Sequence, residues 1–346
     1  MNKKDVKEIA LQNMQQTVSS FRQLDKNIWT MEYKSDYGLD ALLEKGCGSI
    51  MDAVMFLQKQ VKAPLTVNPT HGGFACSTFN AKTPEGDYIL GRNFDYKEAP
   101  CVVCWTKPEN GYRSVSVVDS TFFLHGTKYL SLKNAKKPLR IMGAPYTSMD
   151  GINEKGFTCA VLEIKSKATK QKTGKKPIIT TVALRAVLDK CETVDEAIEL
   201  FSKYDMHDSL FINYHYQLAD AYGSSAIIEY VDNKMHVIKQ EKKNGCLILT
   251  NYFLTEGGDN HDGRGYDRYE RIKKKLTEKD GVLTENEAMD LLSQCTLNYR
   301  HETLKHMVIT LWSAVYNCKE KSMLLSAGMD YDKKYKFFVD KPGEVF

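Results

Sequence analysis

The feature that most constrains this chain is a hairpin signature with reactive groups at both ends. Cys76-Ser77-Thr78-Phe79-Asn80 is followed by Gly91-Arg92-Asn93-Phe94-Asp95-Tyr96. Between them, Lys82-Thr83-Pro84-Glu85-Gly86-Asp87 places Pro and Gly where a turn wants them. Ser77 to Ala81 and Tyr88 to Asn93 read as the two strands. A hairpin returns the far end of its second strand beside the start of its first. Arg92 and Asp95 can therefore meet Cys76, with the register deciding how closely.

The chemistry of the three groups is coherent. A thiol is a good nucleophile only as the thiolate, and a cation such as Arg92 beside it lowers its pKa. Asp95 can orient a base. The hairpin carries no histidine, which points to an unusual base: the α-amine of Cys76 itself, if the chain is cut before it. A free α-amine titrates at about 7.7–8.0, close to the ideal for a general base at neutral pH.

These residues resemble those of the linear amide C–N hydrolases of the choloylglycine hydrolase family, which are N-terminal-nucleophile hydrolases. The family pattern is a Cys, a gap, then Gly-Arg-Asn-x-Asp, and Cys76, Arg92 and Asp95 keep its spacing. Three further segments follow in family order. Asp150-Gly151-Ile152-Asn153-Glu154-Lys155-Gly156-Phe157 is similar to the family's Asn-Glu-Lys-Gly segment, which precedes a strand, here Thr158 to Ile164. Leu249-Thr250-Asn251 resembles its Leu-Thr-Asn, and Asp267-Arg268-Tyr269-Glu270-Arg271 resembles its Ser-Arg-Phe-x-Arg. Any one of these motifs is weak. Together, in order from Cys76 to the C-terminus, they are specific.

The resemblance implies an α+β fold, the four-layer αββα sandwich, preceded by a helical leader. Residues 1–75 would be the leader, retained as a small subunit, and 76–346 the catalytic domain. Cleavage between Ala75 and Cys76 would free the amine. Cys76 would then attack an amide carbonyl, Asp95 would hold the amine, and Arg92 and Arg268 would stabilise negative charge. Asn251 would donate to the oxyanion. Asn153 is expected to be structural, and Glu163 to orient the site or take part in processing. Bile salt hydrolases carry Asn at the place of Glu163 and penicillin V acylases Tyr, so Glu163 points towards the acid ceramidase-like and acyltransferase-like branches. The expected substrate is a small-molecule N-acyl amide, cleaved without a cofactor or metal. Acyl transfer from a thioester donor is the alternative, and bile salt or penicillin V hydrolysis a further one. The expected assembly is a homo-oligomer or a heterodimer of the cut halves.

The remaining residues fit this frame. Residues 1–75 read as mainly helical, with Val6 to Phe21, a helix opening at Tyr37-Gly38-Leu39-Asp40, and Ile50 to Val61. Ala63-Pro64 to Gly72-Gly73 is a loop leading into Cys76. Beyond the hairpin, strands are expected at Cys101–Thr106, Ser114–Asp119, Phe157–Ile164, Tyr214–Asp220, Ser225–Val231, Met235–Lys239 and Cys246–Thr250. Ile179–Leu188 and Val194–Tyr204 form a helical pair and Asn286 to Cys295 another helix, before strands at Thr310–Tyr316, Lys321–Ser326 and Tyr335–Val339. That order suits two stacked sheets covered by helices on both sides.

With 48 basic against 44 acidic residues the net charge is only +4, which argues against nucleic acid as a partner. Nine scattered cysteines suit a reducing compartment, and Met1-Asn2-Lys3-Lys4-Asp5 opens no apolar signal region, so a cytoplasmic protein with no integral membrane segment is expected. Cys101-Val102-Val103-Cys104 has metal-ligand spacing but lacks a second pair. His301 and His306 are five apart, where a zinc-protease helix needs four.

Overall fold

A computed structural model describes residues 3–61, 75–122, 138–209, 212–241, 245–260, 264–301 and 307–346. The loop expected over Ala63 to Gly73 and His306 lie outside these residues.

The N-terminal segment folds as helix α1 (Lys3–Ser20), strands β1 (Arg22–Asp25) and β2 (Ile28–Tyr33), and helices α2 (Leu39–Lys45) and α3 (Ile50–Val61). The hairpin follows as β3 (Ala75–Lys82) and β4 (Tyr88–Lys97), then β5 (Cys101–Thr106), β6 (Ser114–Asp119), β7 (Ser148–Asn153) and β8 (Thr158–Lys167). Strand β9 (Pro177–Ile179) leads into α4 (Thr180–Lys190) and α5 (Val194–Ser202), and β10 (Asp205–His207) returns to pair with β9. Next come β11 (Ile212–Ala219), β12 (Ser225–Val231), β13 (Lys234–Lys239) and β14 (Ile248–Leu249), then α6 (Tyr266–Glu278) and α7 (Glu285–Ser293). The chain closes with β15 (Asn298–Arg300), β16 (Met307–Asn317), β17 (Ser322–Ala327) and β18 (Tyr335–Phe338).

A nine-stranded sheet runs β1-β2-β5-β6-β7-β8-β11-β12-β13. A seven-stranded sheet runs β14-β3-β4-β16-β17-β18, with β15 also paired to β16. The sheets meet where β3 touches β8 and β4 touches β11. Helices α4 and α5 cover β7, β8, β11 and β12, while α6 and α7 cover β3, β4, β14 and β16. The layer order is the expected αββα. One apolar core unites both sheets, with Val103, Leu162 and Tyr216 from the large one and Leu90, Phe94 and Trp312 from the small one. Phe94 and Trp312 stack with ring centres 4.2 Å apart. A second core packs Phe79, Ile89 and Val315 under Ile272, Leu276, Met289 and Leu292 of α6 and α7. Both α5 and α7 begin in capping boxes, Thr193 with Glu196 and Thr284 with Glu287, which satisfy N–H groups the first turn would otherwise strand.

The segment 3–61 is helical in the main, as expected, but also holds two strands. Its three helices are where periodicity placed them, but β1 and β2 had not been foreseen. β2 pairs in parallel with β5, Ile28 against Cys101 through Tyr33 against Thr106, so it belongs to the large sheet. Five of its six residues are buried, and a strand covered on both faces shows no clean alternation to read. Tyr37 Oη donates to the buried Asp189 carboxylate at 2.6 Å, and Tyr33 Oη to the Met142 carbonyl at 2.8 Å. The N-terminal segment is thus sewn into the rest of the chain by sheet pairing and by buried hydrogen bonds.

Candidate active site

The hairpin register sets the site. Cys76 pairs with Phe94, Thr78 with Arg92, Ser77 with Asn93 and Ala75 with Asp95. Cross-strand partners share a face, and successive residues alternate. Cys76, Thr78, Phe94 and Arg92 therefore face one side of the sheet, and Ala75, Asn93 and Asp95 the other. Thr78 Oγ1 reaches Gln217 of β11, which identifies the first side as the inter-sheet side, and Asn93 Nδ2 donates to Leu292 of α7 on the second. Gly91 makes the packing between the strands feasible: a Cβ there would lie 2.6 Å from the Phe79 ring. The thiol thus points between the sheets beside Arg92, while Asp95 approaches the Ala75–Cys76 link from the helix side.

The convergence is on the backbone of Cys76 as much as on its sulfur. Its N–H donates to Asn251 Oδ1 at 2.8 Å, and its carbonyl accepts from Arg268 Nη1. Arg268 Nη2 donates to the same Asn251 oxygen at 2.8 Å. Arg268 also lies 3.6 Å from Asp95 Oδ2, and Thr310 Oγ1 donates to Asp95 Oδ1. Asn251 Nδ2 donates to the Glu163 carbonyl at 2.8 Å. Because an amide nitrogen carries two hydrogens, that bond leaves one for another acceptor. The two donors on Oδ1 fix the orientation of the amide.

Burial shapes the electrostatics. It pushes the Cys76 thiol up; Arg92 pulls it back and Asp95 adds to the rise. Burial likewise raises Asp95 to about 6, against the pull of Arg268, Thr310 and Arg92. A carboxyl raised on folding favours the native state while protonated. That contribution is full below 3.8, the unshifted value, and is lost as pH rises through about 6. Among the described residues, Arg92 Nη2 and Asp95 Oδ2 have no hydrogen-bond partner although both are buried. Arg92 lies on the thiol side of the sheet, and Asp95 on the other side, across from Ala75.

The structure therefore brings together Ala75, Cys76, Arg92, Asp95, Asn251 and Arg268. Glu163 borders the cluster: it is buried, its carboxylate is 3.9 Å from Arg264, and its neighbour across the strands is Tyr214. The Tyr214 hydroxyl is driven well up by burial first, and then by Glu163, Asp208, Tyr96 and Cys76. Asn153 lies apart. Its Nδ2 donates to the Leu188 and Cys191 carbonyls at 2.9 and 2.7 Å, and its Oδ1 accepts from Lys155 and Phe157 in the turn before β8.

Sequence reasoning missed the group that holds Arg92. Asp150 Oδ2 accepts from Arg92 Nε at 2.8 Å and from Trp312 Nε1 at 3.1 Å, and Oδ1 accepts from Tyr316 Oη. All four side chains are fully buried. Asp150 opens the segment that supplied Asn153, and a carboxylate in a run otherwise bound for the interior was the available signal. Cys101 and Cys104 fall on opposite faces of β5 because they are an odd number of residues apart in a strand. Among the described residues no three His, Cys, Asp or Glu side chains gather as a metal site, and no helix is long and apolar enough to cross a membrane.

Comparison with known proteins adds to this geometry. A family model described as acyl-coenzyme A:6-aminopenicillanic acid acyl-transferase matches residues 81–331. Over 193 residues the chain is 31% identical to a penicillin V acylase from Pectobacterium atrosepticum, covering 51% of this chain and 49% of that protein. The chain thus spans about half the length of the curated relative it matches. Among solved structures, a variant of conjugated bile acid hydrolase from Clostridium perfringens aligns with a TM-score of 0.55 at 14% identity, covering 78% of this chain and 96% of that one. Penicillin V acylase from Agrobacterium tumefaciens aligns with a TM-score of 0.50 at 17% identity, covering 75% and 90%. At such identities the likeness is one of fold.

Proposed function

The chain belongs to the acyl-coenzyme A:6-aminopenicillanic acid acyl-transferase family and has the fold of the N-terminal-nucleophile hydrolases, and on that premise we propose that it is a cysteine-nucleophile amide hydrolase activated by self-cleavage before Cys76. One observation carries the reading. Asn251, Arg268 and Asp95 are arranged around the backbone of Cys76, where a protein using only the thiol would have no need of them.

In the cleavage step, Cys76 Sγ attacks the Ala75 carbonyl carbon. The Ala75–Cys76 C–N bond breaks, the thiol proton passes to the departing nitrogen, and a thioester joins Ala75 to Sγ. Water then opens the thioester, leaving a carboxylate on Ala75 and a free thiol and amine on Cys76. Asp95 Oδ2 is the acceptor for the new amine. In turnover, Sγ attacks the substrate amide, the amine carries the thiol proton to the leaving nitrogen, and Asn251 Nδ2 donates to the oxyanion. Arg92 favours the thiolate. Water releases the acyl group. The acyl half of the substrate is apolar, its amine half small, and Glu163 sets the chain apart from bile salt and penicillin V specialists.

The test is release of free amine from a panel of N-acyl amides, with hydroxylamine added to trap the acyl thioester as a hydroxamate. No amine and no hydroxamate from any member would sink the proposal. Acyl transfer is the second reading, favoured by the description of the family model. Acceptor amines added to the same assay decide it: new N-acyl amine above the hydrolysis product supports transfer.

Two further outcomes are expected. Cleavage needs Asp95 as the carboxylate, so its rate should fall as pH drops through about 6, the value burial gives this group. Asp95→Asn should be slow and lack that acid limb; an unchanged limb in the variant would assign it to another group. The cut halves, 1–75 and 76–346, should remain one particle, because β2 pairs with β5 along its full length and Tyr37 is bonded to Asp189. Size exclusion should separate them only in denaturant, and separation in native buffer would contradict the reading of the leader as a retained subunit.

A further inference from the structure

The loop that carries Asn251 is clamped from the opposite sheet. His215 of β11 and Glu229 of β12 are both fully buried. His215 Nε2 is 2.7 Å from the Thr250 carbonyl, and Nδ1 is 3.1 Å from Glu229 Oε1. Glu229 also accepts from the backbone N–H of Leu254 at 3.0 Å and of Thr255 at 2.8 Å. The pair therefore grips the chain immediately before Asn251 and again three and four residues after it. A buried polar pair of this kind is on average a poor stabiliser, so its grip on the Asn251 loop is the feature to explain.

We propose that His215 and Glu229 are positioning residues for the reaction at Cys76, holding Asn251 Oδ1 on the Cys76 nitrogen and Nδ2 towards the oxyanion. The inference rests on the function proposed above. Its chemistry is specific. Both ring nitrogens of His215 face acceptors, a carbonyl on one side and a carboxylate on the other, so the clamp grips at both ends only when each nitrogen carries a hydrogen to donate. Glu229 matches it: burial pushes its carboxyl up, but His215, Thr255 and Leu254 together hold it below the usual range. A neutral imidazole would present a lone pair to one of the two acceptors and release that end of the clamp. A ring that donates from both nitrogens is what keeps the Thr250 carbonyl, and with it Asn251, in place.

The test uses the full chain and two independent readouts. In the uncut Cys76→Ala chain, long-range proton–nitrogen spectra at neutral pH should show both His215 ring nitrogens protonated, with the signal assigned by its loss in His215→Gln. An unprotonated ring nitrogen overturns the proposal. In the chain with Cys76 intact, Glu229→Gln should slow self-cleavage by about a hundredfold, as a small misplacement of a reacting group does, with native circular dichroism, and Glu229→Asp should recover part of the rate. Cleavage within about twofold of the unsubstituted chain would overturn it. If Glu229→Gln does not fold, the spectrum decides. A chain that is never cut and turns nothing over refutes the proposed function, whereas the spectrum and the Asn251 side-chain amide shifts in Glu229→Gln still report on the clamp.

Discussion

Cys76→Ala is expected to give one uncut chain with the native fold and no amide turnover. In the proposed function the sulfur is the nucleophile of both reactions, and removing such a group from a hydrolase costs on the order of 10⁶ in rate. The fold should survive, because the change deletes one buried atom of small volume, a loss of about 1 kcal/mol. The polar frame does not depend on the sulfur: the Cys76 N–H to Asn251 and the Arg268 bond to the Cys76 carbonyl are backbone interactions. Intact mass measures the first outcome, and hydroxamate trapping the second. A cut Cys76→Ala chain would place the nucleophile elsewhere.

Asp150→Ala is expected to be the most damaging single change outside Cys76. Arg92 and Asp150 are both inaccessible to solvent and 2.8 Å apart. Breaking a buried pair from one side strands the other charge, a loss of about 3–5 kcal/mol. Here the stranded group is a guanidinium left with the Asn93 carbonyl at 3.2 Å, the Phe94 ring and the Cys76 side chain, none of them a carboxylate. Trp312 Nε1 and Tyr316 Oη lose their acceptor at the same time. Denaturant unfolding should show the loss. The double variant Asp150→Ala with Arg92→Met should regain stability, since neither charge is then buried alone, yet stay uncut because the thiol has lost its cation. A single variant within about 1 kcal/mol of the unsubstituted chain would contradict the network.

The centre of the site was legible because its signals are local. A turn with Pro and Gly at the right offsets specifies a hairpin, and a hairpin brings Cys76, Arg92 and Asp95 together whatever surrounds it. Strands β5, β6 and β12 have the bounds expected of them. The elements that were missed depend on distant partners. β7 contains Asp150 and Gly151, both poor strand formers, and is strand because its neighbours require it: a Cβ on Gly151 would come within 2.9 Å of Ser116 and of the Val115 carbonyl. β2 is strand because β5 lies beside it. The motif at Asp267 to Arg271 proved to lie on α6, which delivers Arg268 to the far side of Cys76. Asp150, His215 and Glu229 escaped notice for the same reason. Each acts through a residue on another element, and sequence spacing carries no trace of that contact.

Everything proposed for this chain depends on exposure of the Cys76 amine. Intact-mass measurement with N-terminal sequencing, on freshly purified protein held from mildly acidic to neutral pH, tests it most directly. Two fragments are expected, the larger beginning Cys76-Ser77-Thr78. A single chain of 346 residues at every pH would contradict it.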